Sequence, residues 1–521
     1  MKILKVLTVL VLAALMYGLL YRAYRPKINA FGCFDDCSSF VGGYFVTQGR
    51  ELYSQVFFNH QPLTPLGSAL IQTVTRPINI YDLVLRHRQA LWLFSFLWVA
   101  AMGIRFGPPA FLFALIYEPV KFYIFGDRYL GEAFTVYPVA YLVLSLLLPA
   151  KDRWGRYMDV VLVAVGTWIA VFEREPYVPA ALSLFAVVAV FRMKGRERLV
   201  SAAILGLFSA VLVFSLPVKD YFFNVVTVNR ATVLNYKSDS QGFAGRNLIP
   251  ALAYPVRMFL PAGDWPLFRY YEAGLLLIAL VYLIGEKRRF IWIPLIYGLL
   301  FLSNLRPEPP GKIYYEAFHM MVWFAIVASA AAGLAWRYHG LARWLGVAAL
   351  SGLAIWHVTN PASFLHDKVV PHEEFLTNYG HYQYYGSVVS TLATPGDTLF
   401  LDGADDLIFW QAKLPSPYKY SWYTSFMPGF PVYARAREEM FHSDPPTFYY
   451  GTCANGDLKT LPEWTRNRYV RLRSYSDPSC LHVITEKYEK ITPQQWKSVE
   501  DTYHITPILP GQPLEQTGSA N

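Results

Sequence analysis

The sequence predicts a polytopic α-helical membrane protein with about eleven transmembrane helices and a C-terminal extracytoplasmic α/β domain. Of the 521 residues, 54% are hydrophobic and only 16% are charged, and the mean hydropathy is +0.27. This composition lies outside the range of ordinary soluble domains and indicates a bilayer environment. Long apolar stretches recur until about residue 360, where the composition changes abruptly. The expected domains are therefore a membrane domain, 1–360, and a globular domain, 361–521.

A helix needs roughly 20 mostly apolar residues to cross a bilayer, and the apolar stretches of this sequence are candidates for such spans. The first stretch could also be a cleaved signal peptide, because it follows a lysine and has an apolar middle. It is long for a signal peptide, and no small-x-small cleavage site precedes Arg22, so we expect a retained anchor. The expected spans are residues 3–21, 89–104, 109–125, 133–150, 157–172, 177–191, 199–216, 270–285, 290–303, 318–336 and 344–360.

The basic residues predict the topology. The net charge is +9, but the basic residues do not form one patch, so no nucleic-acid partner is expected. They fall in every second gap between the apolar stretches, for example in 192–198 and 287–289. Cytoplasmic loops carry such an excess of Lys and Arg. The N-terminus is therefore expected in the cytoplasm, and the outer face is expected to hold the two long loops 22–88 and 217–269 and the domain 361–521.

All four cysteines lie in segments that are assigned to the outer face, where disulfides persist. Four cysteines permit three connectivities, and we expect bonds between Cys453 and Cys480 and between Cys33 and Cys37. A zinc site at Cys33 and Cys37 is the competing interpretation. It would need a second pair of His or Cys ligands, which the nearby sequence does not supply.

The segment 361–521 alternates short apolar runs with turn residues. The runs GDTLFLDG, PPTFYYGT and CLHVITEKY are typical of β-strands, and DDLIFWQAKL and YARAREEMFHS are typical of helices. Such an alternation favours an α/β layer structure.

Ionisable residues near the ends of spans mark candidate functional positions, because charges are costly inside lipid. In this sequence they cluster on the expected outer face. Cations there can hold a phosphate, and a carboxylate can accept the proton of an attacking hydroxyl. Such a cluster suits a charged, lipid-linked reactant such as a lipid-linked sugar. The residues are Asp35, Asp36, His60, Asp127, Arg128, Glu132, Glu173, Arg174, Glu175, Lys219, Arg230, Arg306, Lys312, Glu316 and His319.

One stretch of the first outer loop carries a family resemblance. FDDCSSFVGGYFVTQGRELY, followed shortly by HQPL, resembles the first outer loop of the GT-C glycosyltransferases that use polyprenyl-phosphate sugars. These include the protein O-mannosyltransferases, the lipid A aminoarabinose transferases and their bacterial relatives. GDRYLGEAF is similar to the second outer loop of that family, and EPPGKIYYEAFHMMVWF to its late loop and helix. The residues that match the first-loop pattern are Asp35, Asp36, Phe40, Gly49, Tyr53 and 60–63.

The resemblance implies a GT-C-like fold and an inverting transfer of a sugar from a polyprenyl-phosphate donor to a hydroxyl acceptor. Asp35 matches the general base of the family, and Asp36 matches the second acid. His60 stands where some relatives have a phosphate-binding Lys, and Gln61 replaces the first proline of the usual pair. The residues expected to bind the donor phosphate or sugar are His60, Arg128, Glu132, Arg306 and Lys312.

Each candidate also has a structural interpretation. Adjacent acids in a loop are often only solvated surface, and His60 could cap the turn before Pro62. Glu132 could pair with Arg128 at the i, i+4 spacing of a helix. The triplet 173–175 could anchor a helix end with its charges extended towards water.

The expected partners are the polyprenyl-phosphate sugar, membrane lipid, and a glycan, lipid or protein acceptor. No cofactor is expected to be required, although Asp35, Asp36 and Glu132 could supply some of the oxygens that a divalent cation needs. On the family resemblance, the location is a bacterial inner membrane. Two other functions stay open, a transporter or flippase of lipid-linked sugars and a non-catalytic scaffold of the cell envelope.

Overall fold

The structure of the protein is a computed structural model. It describes residues 2–30, 32–33, 35–231, 266–303, 313–403, 407–424, 427–451, 453–454, 457–458, 461–474 and 477–508. At positions 2, 266, 313–319, 453–454, 457–458 and 477–478 only the backbone is described.

Helices dominate the chain up to residue 359. Each of the apolar stretches predicted as spans coincides with a helix, while α2, α3 and α10 lie between those stretches. The helices are α1 Lys2–Tyr24, α2 Asp35–Thr47, α3 Leu63–Thr75, α4 Ile80–Phe106, α5 Pro108–Tyr117, α6 Gly131–Leu147, α7 Arg153–Glu173, α8 Val178–Arg192, α9 Gly195–Phe214, α10 Val218–Phe222, α11 Pro266–Ile284, α12 Arg289–Ser303, α13 Ile313–Arg337 and α14 Gly340–Thr359.

Eight helices within the described residues are long and apolar enough to cross a membrane, so the protein is membrane-embedded. The helices α5, α6 and α12 are apolar but have only 10–17 residues. The predicted span 109–125 is shorter in the structure because α5 ends at Tyr117 and a 3-10 turn, Lys121–Ile124, follows. Pro119 explains the break, since proline lacks the N–H that would continue the hydrogen-bond ladder of the helix.

The centre of the bundle is formed by α6 and α13, which pack against each other. Every residue of α6 is buried, as is most of Met320–Arg337 in α13. A helix that is apolar on all sides is typical of a position inside a bundle. The short α6 is therefore surrounded by protein rather than by lipid.

The C-terminal region contains a small β-sheet together with several helices. Its main sheet has the strand order β1-β2-β6-β5-β7, in which β1 and β2 are parallel and the other neighbours are antiparallel. Strands β3 and β4 form a separate pair. The elements are α15 Pro371–Leu392, β1 Leu399–Leu401, α16 Leu407–Ala412, α17 Pro431–Ser443, β2 Phe448–Tyr450, β3 Cys453–Ala454, β4 Asp457–Leu458, β5 Tyr469–Ser474, β6 Asp477–Ile484, α18 Thr485–Tyr488, α19 Pro493–Tyr503 and β7 Ile505–Ile508.

The C-terminal region packs on α2 and the loop that follows α2. Arg50 donates to the carbonyl oxygen of Tyr418 at 3.1 Å, and the backbone N–H of Phe57 donates to the carbonyl oxygen of Tyr420 at 3.0 Å. Trp410 Nε1 donates to Gln72 Oε1 of α3 at 2.9 Å. We call this end of the bundle, with α2, α3 and the C-terminal region, the covered end.

One of the two predicted disulfides can be compared with the structure. Cys33 and Cys37 form a disulfide, which excludes the zinc interpretation for this pair. Cys480 is also disulfide-bonded, and the side chain of its expected partner, Cys453, lies outside the described residues. The Cys33–Cys37 bond encloses the adjacent acids Asp35 and Asp36.

The buried His482 of β6 predicts a pH dependence of stability. Burial lowers the pKa of His482 from 6.5 to about 4, with its Nδ1 3.1 Å from the carbonyl oxygen of Cys480. The unfolded chain therefore takes up a proton more readily than the folded one as the pH falls below 6.5. The contribution of the neutral His482 to the free energy of unfolding is fully present above pH 6.5 and is lost towards pH 4. The pKa shift corresponds to a loss of about 3 kcal/mol.

Thermal unfolding of the detergent-purified protein should show this loss between pH 6.5 and pH 4. His482→Gln should flatten the pH dependence, whereas the exposed His372→Gln should leave it unchanged. An identical acid-induced decrease in Tm for His482→Gln and the wild type would contradict the assignment.

Candidate functional site

A buried arginine links two of the predicted site residues at the covered end. Arg174 Nη2 donates to Asp35 Oδ2, and Arg174 Nε donates to Glu132 Oε1, both at 2.7 Å. The side chain of Arg174 is 5% exposed and that of Glu132 is 1% exposed, whereas that of Asp35 is 39% exposed. The structure thus places Asp35 at the accessible edge of a charged cluster whose remaining members are buried.

Local backbone geometry explains why these three side chains meet. Asp35 is the first residue of α2, and Glu132 lies in the first turn of α6. Arg174 is extended (φ −154°, ψ 121°) between the end of α7 and the 3-10 turn Glu175–Tyr177. Gly131 is required at the start of α6, because a Cβ there would lie 2.4 Å from the carbonyl oxygen of Glu173. The glycine therefore allows α6 to begin directly against the corner that carries Arg174.

The electrostatics keep Arg174 charged. Burial alone would lower the pKa of Arg174, but the carboxylates of Glu132, Glu175 and Asp35 outweigh burial and raise it above the ordinary value. A guanidinium presents several N–H donors in a fixed plane, which suits two carboxylates at once. Arg174 is surrounded by acids and holds Asp35 in place. The alternative interpretation, in which Arg174 extends towards water to anchor the helix end, is therefore wrong for this side chain.

The second acid of the pair has a different environment. Asp36 is fully buried and interacts electrostatically with Arg88 and Arg128. Arg128 donates to the carbonyl oxygens of Gly32 at 3.0 Å and Ala30 at 3.3 Å. Asp36 and Arg128 therefore belong to a buried network that holds the backbone just before α2.

The same network reaches the C-terminal region. Arg88 Nη1 lies 3.8 Å from Asp127 Oδ2, and Arg88 Nη2 lies 3.3 Å from the hydroxyl of Tyr379 in α15. Burial raises the pKa of Asp127 and lowers that of Arg128. These contacts connect α4, the segment before α6, and α15.

His60 contacts the same α7–α8 corner. Its Nδ1 lies 2.9 Å from Glu175 Oε1, and Asn229 Nδ2 donates to that same oxygen at 2.8 Å. The hydroxyl of Tyr53 donates to the carbonyl oxygen of His60 at 2.9 Å. Helix α3 begins at Leu63 without a side-chain cap, so the ring of His60 is oriented by Glu175 and does not cap the turn.

The structure brings together some of the predicted site residues and separates others. Asp35 and Glu132 share Arg174, and His60 joins them through the adjacent Glu175, whereas Asp36 and Arg128 lie in the buried network. Arg306 and Lys312 lie outside the described residues, as do the side chains of Glu316 and His319. Arg174 and Glu175 belong to the site although the family resemblance does not indicate them. The sequence signal that marks them is an acid–base–acid triplet directly between two apolar runs.

No group of three or more His, Cys, Asp or Glu side chains that could hold a metal ion occurs among the described residues. Asp35, Asp36 and Glu132 were the possible ligands of a divalent cation, and Arg174 binds two of them, Asp35 and Glu132. Their charges are therefore partly neutralised by a fixed guanidinium.

Comparison with protein-family models, curated proteins and solved structures finds no match to this chain.

Replacement of Arg174 should destabilise the covered end. Arg174→Gln leaves Asp35 and the buried Glu132 without their cation, and breaking a buried ion pair on one side costs about 3–5 kcal/mol. We expect a clear decrease in Tm in detergent. Arg86→Gln is the control, because it breaks the more exposed pair between Arg86 and Asp82, and such pairs contribute about 1 kcal/mol or less. Equal decreases in the two variants would contradict the central position of Arg174.

Proposed function

We propose that the protein is a membrane glycosyltransferase that moves one sugar from a polyprenyl-phosphate carrier to a hydroxyl acceptor, with inversion and with Asp35 as general base. The observation that carries the proposal is the pairing of Asp35 with Arg174. A general base must be accessible, ionised and fixed in position. The exposure of Asp35 and its 2.7 Å contact with a buried guanidinium meet these requirements.

In the proposed reaction, Asp35 accepts the proton of the acceptor hydroxyl while the acceptor oxygen forms a bond to the anomeric carbon. The bond between that carbon and the phosphate oxygen breaks, and its electron pair leaves with the carrier phosphate. Arg174 keeps the carboxylate oriented through their 2.7 Å contact. Glu132 is a positioning residue, because it acts on Asp35 through Arg174.

A leaving phosphate requires positive charge nearby. Arg306 and Lys312 are expected from the family resemblance to provide this charge. His60 is the described candidate to donate a ring N–H to the phosphate, because its ring is fixed by Glu175 next to the Arg174 corner. The loop 217–269 would cover the lipid-linked donor, and the C-terminal region would help to select the acceptor.

The position of the site in the bundle supports a lipid-linked substrate. The Asp35–Arg174–Glu132 cluster lies where α7 and the segment Glu175–Arg192, which contains α8, meet the start of α6; both segments are long enough to cross a membrane. This position is consistent with a substrate whose chain stays in the bilayer while its head group reaches the charged residues.

Asp35→Asn tests the proposal, because the amide keeps the shape of the side chain but cannot accept the proton. The variant should lose sugar transfer by at least 10²-fold, whereas its Tm should decrease less than that of Arg174→Gln, because Asp35 is partly exposed and Arg174 keeps its contact with Glu132. Transfer is measured with purified protein in liposomes that contain radiolabelled undecaprenyl-phosphate sugars and a membrane-envelope extract as the source of acceptor.

Glu51→Gln is the matched control, since Glu51 is an exposed acid in the same loop, and it should transfer sugar at the wild-type rate. If Asp35→Asn transferred sugar normally, the assignment of the general base would be wrong. A flippase or a scaffold would be indicated if neither wild type nor variant transferred sugar, and movement of the lipid-linked sugar across the liposome bilayer would distinguish these two.

A further inference from the structure

A groove of about 770 Å³ runs between α1 and α5, at the end of the bundle opposite the covered end. This volume falls in the range of about 300–1,000 Å³ that is typical of small-molecule sites. Its walls are apolar. The residues that form them include Leu4, Val9, Leu12 and Met16 of α1 and Pro108 and Phe111 of α5.

The groove follows from how α1 and α5 meet α4. Val9 packs directly on Gly103 of α4, where a Cβ would lie 2.8 Å from a Val9 methyl group. Gly107 adopts φ +73°, which favours glycine, and α5 begins at the next residue. Thr8 also lines the groove, but its hydroxyl donates to the carbonyl oxygen of Leu4 at 2.8 Å. The groove therefore stays apolar at this position.

The position of the groove in the bilayer restricts its occupant. The first span, Ile3–Lys27, is only 17% buried, so most of α1 faces lipid. Lys5 and Met16 are separated by about 16 Å along the helix axis. This length is about half of the roughly 30 Å hydrocarbon core. The groove therefore matches an acyl chain that extends from the head-group level to the middle of the bilayer.

The end of the groove nearest the N-terminus of α1 carries a positive charge. Lys5 lines this end and is exposed, and its Nζ donates one hydrogen bond, to the carbonyl oxygen of Ile104 at 3.3 Å. An ammonium group has three donors. Near this end of α4, Arg105 binds Asp159 through two contacts of 2.7 and 2.8 Å, so that acid is already neutralised. The charge of Lys5 is thus placed to meet a lipid phosphate.

We propose that this groove binds one anionic phospholipid from the leaflet at the N-terminal end of α1, with an acyl chain against Leu12 and Met16 and the phosphate beside Lys5. The site is separate from the Asp35 cluster and does not depend on the proposed transferase activity. Its chemistry, a phosphate attached to an apolar chain, is shared with a polyprenyl phosphate. The length of one leaflet favours the phospholipid.

Native mass spectrometry of the full-length protein tests the proposal. The protein is titrated in detergent with phosphatidylglycerol, phosphatidylcholine or undecaprenyl phosphate. We expect phosphatidylglycerol to bind at least tenfold more tightly than the other two. Leu12→Trp should fill the groove, Lys5→Gln should remove the charge, and each should weaken the binding of phosphatidylglycerol at least tenfold.

Two variants serve as controls. Leu15→Trp places the same ring on an exposed position of α1 outside the groove, and Lys151→Gln removes an exposed cation elsewhere. Both should bind phosphatidylglycerol like the wild type. Equal binding of phosphatidylglycerol and phosphatidylcholine, tighter binding of undecaprenyl phosphate, or the same affinity in Lys5→Gln and Lys151→Gln would each overturn the proposal. Because Lys5 is exposed, the comparison of these two lysine variants is informative even if Leu12→Trp does not fold.

Discussion

The ion pairs of Arg174 are the interaction on which the covered end depends. A buried guanidinium without partners would cost several kcal/mol, so the fold must supply carboxylates at fixed positions. Asp35 comes from α2 and Glu132 from α6, while Arg174 itself lies between α7 and α8. Because a guanidinium binds with a rigid planar geometry, three separate parts of the chain are restricted to one arrangement. The accessible edge of that arrangement is the carboxylate of Asp35.

The adjacent acids Asp35 and Asp36 show how one helix turn separates two roles. Successive helical residues point about 100° apart, so one side chain faces the accessible edge while the next enters the core. Asp36 meets Arg88 and Arg128 there, and the Cys33–Cys37 disulfide encloses both acids. The buried network therefore holds the turn from which Asp35 projects. This division gives the two acids distinct environments even though the sequence pattern treats them as a pair.

The sequence predicted the elements of the fold better than their contacts. Apolar length and composition located the span helices, and alternating patterns located β1, β2 and α17, because these signals are local. Partner choice is not local. The i, i+4 spacing suggested Arg128 as the partner of Glu132, yet the observed contact is with Arg174, 42 positions away. The polar helix α15 was not predicted, although its buried residues Phe375, Tyr379 and Tyr382 recur at the i, i+4, i+7 spacing of an amphipathic helix.

The short central helix α6 connects the fold to the position of the site. Its 17 residues span about 26 Å, less than the roughly 30 Å hydrocarbon core. Such a helix would leave its ends unprotected in lipid, but here every residue is covered by other helices. Its first turn can therefore hold Glu132, and through it Arg174, inside the bundle. The charged cluster is covered by protein at the point where the start of α6 meets the corner between α7 and α8.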